Sequence, residues 1–122
     1  MNNDEVWSEL KRLKFEDFLW VIFIVLAILN IAGDHNEINY IKTNENKYKN
    51  RSNDLFEFTI IVTIFIYIYF ISRNYKFYKK AAYENKKLCF IKLLGSSLLL
   101  AGAICLLYFQ DKQKNFVGSP AL

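Results

Sequence analysis

Cysteine and histidine are scarce in this chain, which contains two cysteines and one histidine among its 122 residues. Cys89 and Cys105 lie on one predicted helix about 24 Å apart, so they cannot form a disulfide with each other. We expect both to be small apolar helix residues, with an intermolecular or lipid-linked role for Cys89 as the alternative. His35 stands beside Asp34 in a polar segment, and one histidine with one carboxylate is weak support for a metal. We therefore expect no metal site and no cofactor.

Charge is also missing from three long stretches of the chain. Asp, Glu, Lys, Arg and His are all absent from residues 18–33, 58–72 and 93–109. A helix that crosses the hydrocarbon core of a bilayer needs roughly 20 mostly apolar residues, a length that each stretch reaches with its flanking turn. The polar segments between them are too short to form a soluble core. The sequence therefore predicts an all-α, three-helix transmembrane bundle, with residues 1–122 forming a single membrane domain.

The same pattern gives boundaries for each element. Lys11, Arg12 and Lys14 precede the first stretch as in a signal peptide, but the stretch is long and no cleavage site follows, so an uncleaved helix is predicted. The segment before it is amphipathic, which favours an interfacial helix, with a solvated helical extension as the alternative. The predicted elements are an interfacial helix (3–14), a first transmembrane helix (15–33) ending at Gly33, an outer loop (34–54), a second helix (55–72) continuing to about residue 83, a basic connector (73–87), a third helix (88–109) and an outer tail (110–122).

Basic residues outnumber acidic ones and give a net charge of +4. They crowd at the predicted membrane edges, which favours a bilayer with anionic headgroups as the partner over nucleic acid. Six of them lie in the basic connector and are expected to contact headgroups: Arg73, Lys76, Lys79, Lys80, Lys86 and Lys87.

The distribution of Lys and Arg also predicts the orientation. Nine lie in the N-terminal segment and the basic connector, against six in the outer loop and the tail. The positive-inside rule therefore places the N-terminus in the cytoplasm and the C-terminus outside the plasma membrane. The abundance of Asn, Lys, Ile, Tyr and Phe is compatible with an AT-rich bacterial genome.

Lys92 is predicted about one turn inside the third helix, where a charge needs a partner, water or a route to the headgroups. Small residues near it on the same helix favour close helix packing in lipid. We predict a packing seam between the first and third helices, fixed by an ion pair from Glu16 or Asp17 to Lys92. For Lys92 itself, snorkelling to the headgroups is favoured slightly over the ion pair, and a transport or proton-relay role is a further alternative. The seam residues are Glu16, Trp20, Phe23 and Ala27 on the first helix and Lys92, Gly95, Leu99 and Gly102 on the third.

A second polar cluster is predicted near the outer ends of the first two helices, formed by Asn30, Glu57 and Thr59. In an antiparallel hairpin Asn30 falls at the depth of Thr59, so a hydrogen bond between their side chains is feasible. Glu57 lies about 200° from Thr59 around the helix. We expect Glu57 to reach the outer interface, with an ion or substrate site as the alternative.

An enzyme is not expected from this sequence. Ser96 and Ser97 have no His or Lys base at their depth, and paired carboxylates are missing from the middle of the membrane. Three helices also cannot readily enclose an alternating-access path. We therefore expect an accessory or regulatory subunit of a larger membrane assembly. The alternative is a self-associating pore former, as phage holins are, or a protein of the small bacteriocin-immunity type, on the basis of size and helix count alone.

Overall fold

Three long helices account for most of the computed structural model, which describes residues 2–120. They are α1 (Asn3–Thr43), α2 (Asn46–Lys80) and α3 (Tyr83–Lys112). No strand occurs within that described part of the chain. Each helix is long and apolar enough to cross a membrane by length and composition. The predicted all-α fold is confirmed, and the three candidate spanning helices indicate a membrane protein.

The helices lie in the order α1, α2, α3, with α2 in the middle. α2 packs against both of the others, whereas α1 and α3 make no close backbone approach within residues 2–120. Successive helices run antiparallel because the connections between them are only two residues long. We call the end with the start of α1 and the 81–82 link the N-terminal end of the bundle. The end with the 44–45 link and the close of α3 is the C-terminal end.

α1 is longer than the sequence predicted. Its 41 residues span about 60 Å, twice the roughly 30 Å hydrocarbon core of a bilayer. Residues 3–14 form its first turns and are continuous with the spanning segment, so the predicted separate interfacial helix is corrected to a helical extension. The side chain of Asn2 caps this end by accepting a hydrogen bond from the Glu5 N–H at 2.8 Å.

The predicted outer loop over residues 34–54 is wrong. α1 continues to Thr43 and α2 begins at Asn46, which leaves Asn44 and Glu45 as the whole connection. Asn44 adopts a left-handed conformation, with φ of 58°, and its N–H donates to the Tyr40 carbonyl at 2.7 Å. Asparagine tolerates this conformation, so α1 ends at Asn44 and not at Gly33, the residue that the sequence predicted as its end.

Gly33 does not end α1; it brings α1 and α2 together. It is buried opposite Phe56, whose side chain is 1% exposed. A Cβ atom at Gly33 would overlap the Phe56 ring. A residue without a side chain is therefore needed here for close helix packing, which is a common use of glycine in membrane helices.

The remaining boundaries differ by a few residues from the predictions. α2 ends at Lys80 and α3 already begins at Tyr83, after Ala81 and Ala82 in extended conformation. The basic connector over 73–87 is therefore almost entirely helical.

The tail folds back over the C-terminal end of the bundle. The Phe116 ring packs edge-on against Phe109, with 5.2 Å between ring centroids. The last two residues of the predicted tail lie outside the described residues.

The apolar core of the bundle lies between α1 and α2, around Leu19, Leu26 and Ile66.

Candidate functional site

A polar network joins all three helices near the N-terminal end of the bundle, and Glu16 is at its centre. Only 6% of the Glu16 surface is exposed. Its carboxylate accepts hydrogen bonds from Arg73 Nη1 at 2.9 Å, from Arg12 Nη1 at 3.1 Å and from the Tyr69 hydroxyl at 3.1 Å. Arg12 lies one turn before Glu16 on α1, and Tyr69 lies one turn before Arg73 on α2. Residues four apart on a helix lie on the same face, so all three donors lie close to the one carboxylate.

The network continues from Arg73 to α3. Arg73 Nε and Nη2 donate to Asn74 Oδ1 at 3.1 and 2.9 Å. Asn74, which is 2% exposed, donates from Nδ2 to Ser96 Oγ. Ser96 Oγ in turn donates to the Lys92 carbonyl at 3.0 Å. We call these side chains the N-terminal polar cluster: Arg12, Glu16, Tyr69, Arg73, Asn74 and Ser96.

The predicted ion pair between Glu16 and Lys92 is not formed. Arg73 lies on the intervening α2 and reaches Glu16 first, with a planar guanidinium that suits carboxylates better than an ammonium does. Lys92 Nζ instead lies 5.7 Å from the centre of the Phe77 ring. No carboxylate pairs with Lys92 anywhere in residues 2–120, and Asp17 is exposed.

Four of the eight predicted seam residues line a groove instead of packing together. The groove has a volume of about 490 Å³, with α2 as its floor and α1 and α3 as its walls. Trp20 and Phe23 line the α1 wall, and Lys92 and Leu99 line the α3 wall. The sequence therefore identified two faces that look onto one space, but the seam as a direct contact is corrected, because α2 separates them. Two members of the floor are charged or polar, Arg73 and Asn74, and two are aromatic, Tyr67 and Phe70.

The small seam residues remain open. Ala27 is exposed, and a Cβ atom added to Gly95 or Gly102 would meet nothing within 4 Å. α3 is the least covered helix: its buried residues are Ala103 and Gln110. No other helix of the described chain therefore packs closely against Gly95 or Gly102.

A second buried ion pair lies at the C-terminal end of the bundle, in the segment predicted as a loop. Lys49 Nζ donates to Glu37 Oε1 at 2.6 Å, and Ser52 Oγ donates to the same oxygen at 3.0 Å. The exposed fractions are 2% for Glu37, 5% for Lys49 and 0% for Ser52. Lys49 also donates to the carbonyl of Phe116 in the tail. We call Glu37, Lys49 and Ser52 the C-terminal polar cluster.

Sequence reasoning missed this cluster, although a signal was present. Lys49, Ser52, Phe56 and Thr59 recur at helical spacing on one face of α2. The even charge balance of residues 34–54 favours a solvated loop, so the sequence alone did not indicate this helical face.

The predicted polar cluster of Asn30, Glu57 and Thr59 divides into two parts. Thr59 Oγ1 donates to Asn30 Oδ1 at 3.4 Å, and Ser119 of the tail donates to the same oxygen at 3.1 Å. Glu57 points elsewhere, with Lys114 Nζ 3.3 Å from its carboxylate. Asn30 and Thr59 thus hold α1, α2 and the tail together, while Glu57 lies at the surface.

The residues expected at the headgroups also divide. Arg73 is drawn into the N-terminal polar cluster. The others lie at the surface of the N-terminal end, where Lys86 is half-buried and four are exposed: Lys76, Lys79, Lys80 and Lys87.

The described residues offer no group of three or more metal-ligating side chains. Cys89 and Cys105 are free, and His35 is exposed.

No protein-family model, curated protein or solved structure matches the chain. The arrangement offers charged and aromatic groups for binding, gathered at the N-terminal polar cluster and the groove beside it.

Proposed function

We propose that this protein is a non-enzymatic accessory or regulatory subunit that docks on a larger membrane protein through α3. The observation that carries the proposal is the open face of α3, which packs on α2 alone and has two buried residues, Ala103 and Gln110. Gly95 and Gly102 lie at the edge of this face with free space above them. Small residues allow the backbone of another transmembrane helix to approach closely, so this face suits a helix of a partner protein.

The rest of the fold supports a rigid anchor for such docking. Hydrogen-bonded charges tie α1 to α2 near both ends of the apolar stretches, through Glu16 with Arg73 and Glu37 with Lys49. α1 and α2 thus form a fixed platform that presents α3 along one side. We further propose the plasma membrane as the location, with the N-terminal end of the bundle in the cytoplasm, because of its excess of Lys and Arg.

The proposal is tested by substituting a small residue on the open face of α3. Gly102→Leu fills the space at the glycine edge of this face, whereas Ser97→Leu makes a similar change at an exposed position of α3 about 140° away around the helix, outside that edge. We expect the wild-type protein and Ser97→Leu to co-purify in mild detergent with one larger membrane protein at fixed stoichiometry. We expect Gly102→Leu to reduce that recovery about tenfold, as a loss of about 1.4 kcal/mol of binding free energy would do.

Recovery that is equal for the two variants would contradict docking through the edge of this face that Gly95 and Gly102 form. Homo-oligomers as the only assembly, together with loss of membrane potential on overexpression, would support the self-associating pore instead. Circular dichroism of each purified variant checks that the helices are intact.

A further inference from the structure

We propose that the groove between α1 and α3 is a binding site for one anionic phospholipid, with the phosphate at Lys92 and Arg73 and an acyl chain along the aromatic walls. This proposal concerns the isolated protein in a bilayer and does not depend on the docking proposed for α3.

The charges that line the groove are all of one sign. Among residues 2–120, Arg73 and Lys92 are the charged residues that line it, and both lie toward the N-terminal end. Arg73 is shared with Glu16, whereas Lys92 has no carboxylate partner in the described part of the chain. A cation near lipid needs a partner, water or a route to the headgroups, and basic pockets between transmembrane helices are suited to phospholipid headgroups.

Further cations surround this end of the groove. The Phe77 ring is contacted by Arg12 at 5.1 Å, Arg73 at 5.6 Å and Lys92 at 5.7 Å. The buried carboxylate of Glu16 accepts hydrogen bonds from two of them. One of the three cations, Lys92, is therefore left to pair with an external anion.

The remainder of the groove is lined mainly by aromatic and aliphatic side chains. Trp20 packs with Phe23 at 5.5 Å and with Phe70 at 6.4 Å between ring centroids, and Phe23 packs with Tyr67 at 6.2 Å. Leu99 completes the opposite wall. These side chains run away from the cations toward the middle of the membrane, which is the direction that an acyl chain takes from its headgroup.

The size of the groove fits a lipid better than a protein helix. A volume of about 490 Å³ lies within the range of roughly 300–1,000 Å³ for sites of small ligands. A transmembrane helix, with a diameter of about 10 Å and roughly 20 residues, requires more space. One acyl chain with its phosphate is therefore the occupant that both the charge and the volume favour.

Trp20 makes the proposal testable by fluorescence. The chain has two tryptophans, so a Trp7→Phe background leaves Trp20 as the only reporter, in the wall of the groove. The protein is placed in phosphatidylcholine vesicles that contain a small fraction of chain-brominated phosphatidylglycerol or, in parallel, chain-brominated phosphatidylcholine. We expect the anionic lipid to be about fivefold more effective as a quencher at low mole fraction, with saturation at one lipid per chain.

Two lysine variants separate a defined site from general attraction. Lys92→Met is expected to abolish most of the preference, and Lys87→Met, which removes an exposed charge outside the groove lining, is expected to preserve it. Equal quenching by both lipids, or a preference that Lys92→Met leaves unchanged, would overturn the proposal. Quenching that rises without saturation would show diffuse accumulation of lipid and would also overturn it. Quenching that falls as protein density rises would assign the groove to a second copy of the chain.

Discussion

Two buried carboxylates, Glu16 and Glu37, lie just beyond opposite ends of the apolar stretch of α1. Each is paired with a cation on α2, Glu16 with Arg73 and Glu37 with Lys49, and each accepts a further hydroxyl hydrogen bond. A buried charge is tolerated only when it is paired and hydrogen-bonded. The residues that fix α1 against α2 are therefore also the residues whose loss leaves an uncompensated charge.

Lys49→Met tests this at the C-terminal polar cluster. Removing the ammonium leaves the Glu37 carboxylate buried without its cation, which we expect to lower the free energy of unfolding by about 3–5 kcal/mol. Thermal unfolding in detergent, followed by circular dichroism, measures the loss.

Lys47→Met is the matched control, because Lys47 is 58% exposed and its pair with Glu45 is at the surface. We expect this variant to change stability by no more than about 1 kcal/mol. Adding Glu37→Gln to Lys49→Met should restore part of the loss. Equal stability of Lys49→Met and Lys47→Met would mean that the buried pair of Glu37 and Lys49 does not stabilise the fold.

At the scale of elements, the apolar pattern predicted the helices well and their ends poorly. Each of the three uncharged stretches lies within one of the three helices, as expected if they cross lipid, where a backbone must satisfy its own hydrogen bonds. Outside the lipid the same rule does not apply, so the polar residues of 34–54 were interpreted as a loop. In the structure a face of α2 that includes Lys49 and Ser52 packs against Glu37 and keeps both segments helical.

The candidate site was predictable only in part for a related reason. Helical spacing placed Trp20, Phe23, Lys92 and Leu99 on faces that share one groove. It could not show that α2 lies between α1 and α3, because the order of packing depends on contacts across helices. The partner of Glu16 is therefore Arg73, whereas the sequence predicted Lys92.

Gly33 provides a test of how closely two elements must pack. Gly33→Ala places a methyl group against the Phe56 ring, where an added Cβ overlaps it. We expect a loss of about 1–3 kcal/mol in the free energy of unfolding, typical of an overpacked contact. Chemical unfolding in detergent, followed by circular dichroism, measures it.

Gly95→Ala serves as the control for that experiment, because an added Cβ there meets nothing within 4 Å. Alanine has a higher helix propensity than glycine, so we expect no loss at this position. A loss as large for Gly95→Ala as for Gly33→Ala would refute the specific role of the α1 to α2 contact.

For the whole molecule, the two short links place the start of α1 and the end of α3 at opposite ends of the bundle. α1 starts at the N-terminal end, and three antiparallel helices carry α3 to the C-terminal end. This geometry is independent of which side faces the cytoplasm. The side itself depends on the distribution of Lys and Arg, which is a bias of nine against six.

Reporter fusions test that orientation. Alkaline phosphatase fused after Leu122 is expected to be active, and a green fluorescent protein fused there is expected to be dark, because the proposed orientation has the C-terminus outside. Fusions after Ala82, in the 81–82 link, should give the reverse result. The opposite pattern at both positions would invert the bundle and place the groove cations in the outer leaflet.

The central position of α2 has a consequence for how the chain is made. Both charge pairs, Glu16 with Arg73 and Glu37 with Lys49, are contained within residues 2–80. The ribosome therefore supplies every member of these pairs before it adds the first residue of α3. The first two helices can therefore close on each other as a hairpin once α2 has left the ribosome, before α3 has followed it into the membrane.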